Sequence, residues 1–178
     1  MSPSPPVALR CVAIDFETSG HAAHSACAVG MARIDKGGVS EVFYSLLRPP
    51  SSKVLFTEVH GLTWAMLQDA PTFAQAYPAI AGFLHDTDVL LAHNASFDRR
   101  VLRGCCTSFR KPLIDLPFLC TLRGARRSLP LPSKKLCAVC GHFGIALNHH
   151  HAGSDAAACA EVYLRLRSLG VSDAQMRI

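Results

Sequence analysis

Short apolar runs separated by polar turns fill the first fifty residues, and apolar residues at helical spacing take over beyond them. Residues 8–16 are rich in strand-favouring side chains and read as a buried strand. Residues 26–34 predict a second strand. Lys36, Gly37 and Gly38 then signal a turn, and residues 39–47 predict a third. The three together predict an antiparallel meander, closed by Pro49 and Pro50 because proline cannot donate to a ladder.

The pattern then becomes helical. Thr63 opens a short helix to 67, and residues 72–84 set Phe73, Ala76, Tyr77, Ile80 and Leu84 at helical spacing. Residues 89–92 predict a buried parallel strand, after which Ser96 caps a helix to about 103. Helices are predicted over 121–127, over 133–143 with Gly144 as its stop, and over 154–168. Strands followed by alternating helix and strand predict an α/β domain with a mixed sheet. With no repeat and no linker, residues 9–178 read as one domain behind a flexible Pro/Ser-rich tail at 1–8.

Composition narrows the class. Nearly half of the 178 residues are apolar, which excludes a disordered chain and suffices for a full core. No apolar run has the length to span a bilayer, and the N-terminus lacks the apolar stretch of a secretory signal. The eight cysteines therefore read as reduced thiols in a cytoplasmic protein without a membrane partner. Cys137 and Cys140, followed by His142, have the spacing of half a zinc site but lack a second pair, and Leu136, Val139, Cys140 and Phe143 read instead as an apolar helix face. The net charge of +5 fits a polyanionic partner. Basic residues recur at Arg99, Arg100, Arg103, Arg110 and Lys111, then at Arg123, Arg126, Arg127, Lys134 and Lys135, as solvated faces or as phosphate contacts.

Three patches carry candidate chemistry. Asp15 and Glu17 sit two apart at a strand end, so their side chains share a face. Such a pair persists if one acid is protonated, if both reach water, or if a cation lies between them. Asp98 and Asp155 each fall in a first helical turn, where the helix dipole alone would favour an acid. His150 lies five residues before Asp155 in a connecting segment, and imidazole suits proton abstraction near neutral pH. The run His149, His150, His151 also reads as a transition-metal tract or a solvated loop.

In order, IDFETSG, AHNASFDRRVL and HHAGSDA resemble the three motifs of the DEDDh, or DnaQ-like, 3′–5′ exonucleases. The resemblance spans about 11–166, and the segments CTLRGARRSLP and NASFDRRVL are most like those of exonuclease X. It implies the ribonuclease H-like fold, with a central mixed five-stranded sheet flanked by helices. It also implies two Mg²⁺ or Mn²⁺ ions held by Asp15, Glu17, Asp98 and Asp155, with Asp15 bridging and His150 as general base. The family's spacing selects His150 over His151. The stretch VHGLTWAMLQDAPTF resembles the family's terminal-nucleotide pocket and points to His60, Gly61 and Leu62. Thr18 and Ser19 would lie near the terminal 3′-hydroxyl, with Asn94 and Phe97 along the substrate path.

The implied activity is removal of nucleoside 5′-monophosphates from a nucleic-acid 3′ end, single-stranded or frayed DNA being favoured over RNA. An exoribonuclease and a proofreading subunit working beside a polymerase are the alternatives. A homodimer is a further possible assembly.

Overall fold

A computed structural model describes residues 9–178, so the tail expected at 1–8 lies outside the described residues. The sheet has five strands in the order β3-β2-β1-β4-β5. β1 (Cys11–Thr18), β2 (Ala26–Asp35) and β3 (Gly38–Leu46) form the expected antiparallel meander. β4 (Val89–Ala92) and β5 (Phe118–Cys120) extend it in parallel on the other side of β1.

Two short helices, α1 (Thr57–His60) and α2 (Trp64–Leu67), follow β3. α3 (Phe73–Phe83) begins at a reciprocal cap between Thr72 and Gln75. α4 (Ala95–Ser108) links β4 to β5. α5 (Thr121–Ser128), α6 (Leu136–Phe143), α7 (Ala152–Ser168) and α8 (Asp173–Met176) complete the chain.

The alternation of β1 distributes its side chains between two cores. Cys11 and Ala13 pack with Val139, Cys159, Val162 and Leu166 from α6 and α7. Val12, Ile14 and Phe16 pack with Phe73, Ile80, Val101 and Leu102 from α3 and α4. Burying each large aliphatic side chain stabilises the fold by about 1.5–3 kcal/mol. The mixed sheet thus has helices on both faces. Among the described residues no helix is long and apolar enough to cross a membrane. All eight cysteines are unpaired, with Cys140 buried and Cys137 exposed.

Several boundaries differ from expectation. β1 runs on to Thr18, so Asp15 and Glu17 lie inside the strand rather than at its end. α4 is capped at Asn94, whose φ of 84° is left-handed, and not at Ser96. It also runs five residues past the expected end, because Cys105 and Cys106 continue the buried face made by Val101 and Leu102. α7 starts at Ala152, two residues early, since the ring of His151 caps it by accepting from the Ser154 amide at 3.3 Å.

Candidate active site

β1 continues the face of Cys11 and Ala13 with Asp15 and Glu17, beyond the point where apolar helix packing covers it. The parallel ladder with β4 ends at the pairing of Ala13 with Leu91. Past that end, the amide of Phe16 donates to Asp98 Oδ1 at 3.0 Å, tying the first turn of α4 to β1. On the other flank, α7 crosses β2 and β1 and brings Asp155 to the same place. One carboxylate oxygen each from Asp15, Glu17 and Asp155 lies within 4.8 Å of the others. Asp98 is 2% exposed and Asp155 4% exposed, whereas Asp15 and Glu17 are half-buried at the cleft floor.

Burial and mutual repulsion shape the proton affinities. The Asp15 carboxyl is pushed well above the usual range, by burial first and then by the charges of Asp98, Asp155 and Glu17. Burial, with Asp155 adding to it, lifts Glu17 to about 8. Asp98 is also lifted to about 8 by burial, against the opposing hydrogen bond from Phe16. Acids so placed hold shared protons or a cation. Asp15, Glu17 and Asp155, from β1 and α7, bring one oxygen donor each together, and this set fits hard divalent ions. Asp98, from α4, lies close enough to raise the pKa of Asp15 but stands outside that three-donor group.

His150 stands at the rim. Its φ of 68° is left-handed, and its amide donates to Asp155 Oδ2 at 3.0 Å. Burial and the neighbouring His149 lower its pKa, which favours the neutral, proton-accepting ring. The His149 ring stacks on it at 3.8 Å, and His149 Nδ1 lies 3.4 Å from Asp155. His151 stacks on Tyr44 at 4.3 Å and lines the smaller of the two clefts there.

Two clefts meet here. The larger, about 780 Å³, has Asp15, Glu17 and Asp155 on its floor and Arg126, Lys134 and Lys135 along a wall. Exposed Asn94 lines it. So does His93, which bonds Thr121 Oγ1 at 2.9 Å and the Lys134 carbonyl at 2.8 Å, fastening the 132–136 segment to the end of β4. The smaller cleft, about 400 Å³, is lined by His60, Gly61, Leu62, Tyr44, Met66 and His151 and shares Glu17, His149 and His150 with the first. His60 Nδ1 accepts from the Leu62 amide and Nε2 donates to the Thr18 carbonyl, so its ring is fixed.

The remaining expected residues lie elsewhere. Thr18 and Ser19 are buried behind the cleft walls. The Ser19 amide donates to Ser25 and its carbonyl accepts from Leu55, so neither backbone group is free for a substrate. Phe97 packs against the α3–α4 core, with the Arg100 guanidinium 5.5 Å from its ring centre. Conversely, no sequence pattern marked His93 or Tyr44 for this region. The only signal for His149 was the histidine run itself.

The RNase T family model, described as exonuclease, matches residues 12–163. The chain is 30% identical over 169 residues to a PolC-type DNA polymerase III of Thermotoga maritima, covering 90% of this chain and 12% of that protein. It is 33% identical over 168 residues to a putative bifunctional exonuclease/endonuclease of Mycobacterium tuberculosis, covering 85% of this chain and 25% of that protein. The chain thus spans from 12% to 25% of the length of these curated relatives. Among solved structures, exonuclease X in complex with 5′ overhanging duplex DNA aligns with a TM-score of 0.74 at 24% identity, covering 93% of this chain and 96% of that one. The nuclease domain of 3′hExo, a DEDDh family member bound to rAMP, aligns with a TM-score of 0.79 at 16% identity, covering 94% and 96%. The folds agree: a mixed five-stranded sheet flanked by helices, as in ribonuclease H.

Proposed function

This chain belongs to the exonuclease family of the DEDDh, RNase T type, whose members generally use divalent metal ions, and from that premise we propose that it hydrolyses phosphodiester bonds at nucleic-acid 3′ ends, releasing nucleoside 5′-monophosphates. DNA, single-stranded or frayed, is the proposed substrate. The observation that carries this reading is one cleft holding a floor of Asp15, Glu17 and Asp155 beneath a wall of Arg126, Lys134 and Lys135. A carboxylate floor alone would repel a polyanion. With cations beside it the cleft accepts the phosphate chain and keeps an oxygen donor set at one linkage.

In this proposal Asp15, Glu17, Asp98 and Asp155 would hold two Mg²⁺ or Mn²⁺ ions. When bound, such ions make water acidic and offset charge on the leaving 3′-oxygen. The protein's own part is positional. Phe16 holds Asp98 in place through its amide, and the His150 amide holds Asp155. Neutral His150 takes the proton from the attacking water. His60, with both ring nitrogens engaged, serves as a wall and not as a base. The smaller cleft, with the apolar sides Leu62, Met66 and Tyr44, receives the terminal nucleoside.

The test is a panel of single-stranded DNA, duplex DNA, mismatched ends and RNA, each with Mg²⁺ and with EDTA. Metal-dependent loss of 3′ nucleotides from the DNA arms is expected. No cleavage of any member with Mg²⁺ or Mn²⁺ refutes the reading, and preferential RNA cleavage replaces it with end trimming of RNA. A second reading is proofreading beside a polymerase, favoured by the PolC-type relatives in which such a segment is a minor part of a polymerase chain.

A further inference from the structure

His149, His150 and Asp155 offer one donor atom each within 4.8 Å of one another, a group that shares only Asp155 with the Asp15, Glu17 and Asp155 cluster. The two sets differ in chemistry. The acid cluster is all oxygen and suits hard ions, whereas two imidazoles with one carboxylate is a donor set that zinc takes in open, three-ligand sites. We propose that His149, His150 and Asp155 form a second binding site, for Zn²⁺, at the cleft rim, overlapping the acid cluster at Asp155, and that filling this site shuts off the hydrolysis. The second half of the proposal rests on the exonuclease reading given above, while the binding itself does not.

The geometry supports an open three-ligand site. His149 has 35% of its side chain exposed and gives the ion a path from solvent, while Asp155 is 5% exposed and anchors it. His149 Nδ1 already approaches Asp155 at 3.4 Å, so the ion would take the place of a proton between them. The His150 ring is stacked at 3.8 Å on that of His149 with its donor atom within 4.8 Å of the other two, so a rotation of one ring brings both nitrogens onto one ion. The nearest other histidines are occupied. His151 accepts from Ser154 and stacks on Tyr44, and both nitrogens of His60 bond the backbone. The fourth position is therefore left to water. Nitrogen donors rank Zn²⁺ far above Mg²⁺ and Mn²⁺, so millimolar Mg²⁺ does not compete at these rings. Inhibition follows from shared parts, because the lone pair His150 needs to accept a proton is then bonded to the ion.

The experiment measures Zn²⁺ affinity of the full chain by competition with a chromogenic chelator, in excess Mg²⁺, alongside the rate on a DNA oligonucleotide. The wild type binds one Zn²⁺ ion and loses activity as it fills. His149→Ala weakens binding about tenfold or more, at least what loss of a ligand's supporting partner costs. The half-inhibitory Zn²⁺ concentration rises by the same factor, relative to that variant's own zinc-free rate. Glu17→Gln keeps Zn²⁺ affinity while losing hydrolysis, and His151→Ala keeps both affinity and inhibition. Unchanged affinity in His149→Ala overturns the proposal, as does loss of affinity in Glu17→Gln, which would put the ion among the carboxylates. If the wild type hydrolyses nothing in Mg²⁺, the exonuclease reading fails while the binding arm still decides the site.

Discussion

A Cβ on Gly30 would lie 2.0 Å from the carbonyl oxygen of Ala152, a separation that no real side chain tolerates. Gly30 is also the ladder partner of Asp15 across β1 and β2. The bare backbone opposite the acid is thus what lets the start of α7 settle on the sheet, and Asp155 follows three residues after Ala152. The obstructing atoms are backbone, including the Gly153 nitrogen at 2.4 Å, so a neighbouring side chain cannot swing away to make room.

Gly30→Ala is therefore expected to destabilise the chain by about 1–3 kcal/mol, the range for an overpacked core, and to cut turnover by moving Asp155 and His150 together. Urea denaturation and a metal-dependent cleavage assay check it. A variant with the wild-type midpoint and rate would mean that α7 does not seat as described.

His150 and His151 separate proton transfer from capping. His150→Ala should lower turnover by about a hundredfold or more, the scale for a general base. His151→Ala loses a ring that accepts from the Ser154 amide, worth about 1 kcal/mol of stability, and should leave turnover at saturating substrate within a few fold. Parallel melting curves and rates on the two variants distinguish the roles. A silent His150→Ala beside a dead His151→Ala would show that the register taken from the family spacing is off by one.

Arg126 and Lys135 are exposed on the wall above the acids, and neither pairs with an acid among the described residues. Each removed phosphate contact should reduce the salt slope of single-strand binding by about 0.7. Arg126→Ala and Lys135→Ala are thus expected to weaken binding by similar factors on unrelated sequences, since phosphate contacts carry no base information. Fluorescence anisotropy across a salt series measures this. An unchanged slope in both variants would remove the wall from the binding surface.

Much of this arrangement was legible in the chain. β4 was predicted at its observed bounds because four consecutive apolar residues followed by His93-Asn94 admit few readings. The acids were legible as well, since each occurs in a strand or in a first helical turn, features that local sequence marks. β5, at three residues, is too short to show a period, and α1 and α8, at four residues each, bury too little to announce themselves. Whether Lys135 faces the cleft or solvent depends on where His93 fastens the 132–136 segment, a contact between residues 41 apart that no local pattern encodes. The positions of Ser19 and Phe97, expected from family likeness to reach a substrate, are likewise decided by the loop at 19–25 and by core packing.

The acid cluster makes stability depend on pH in a direction opposite to that of most carboxylates. Glu17, at about 8 in the folded chain against an ordinary 4.5, retains its proton across a range where the unfolded chain has already released it. Asp98, at about 8 against 3.8, and Asp15 behave alike. The folded state binds more protons between these values, so raising the pH from about 4.5 to 8 removes stability. His60, His93 and His150, all shifted down chiefly by burial, act in the opposite sense around 6.5, so the comparison must hold them constant. Glu17→Gln does so. In EDTA its melting temperature should fall less than that of the wild type between pH 5 and about 8. Saturating Mn²⁺ should raise the wild-type melting temperature, and more at pH 8 than at pH 5, because ions bind the deprotonated form of the folded site. Calorimetric scans of both proteins over that range, with and without Mn²⁺, read the two effects separately. Identical pH slopes in EDTA would show that Glu17 is not held protonated, and a Mn²⁺ shift independent of pH would show that the ion does not displace those protons.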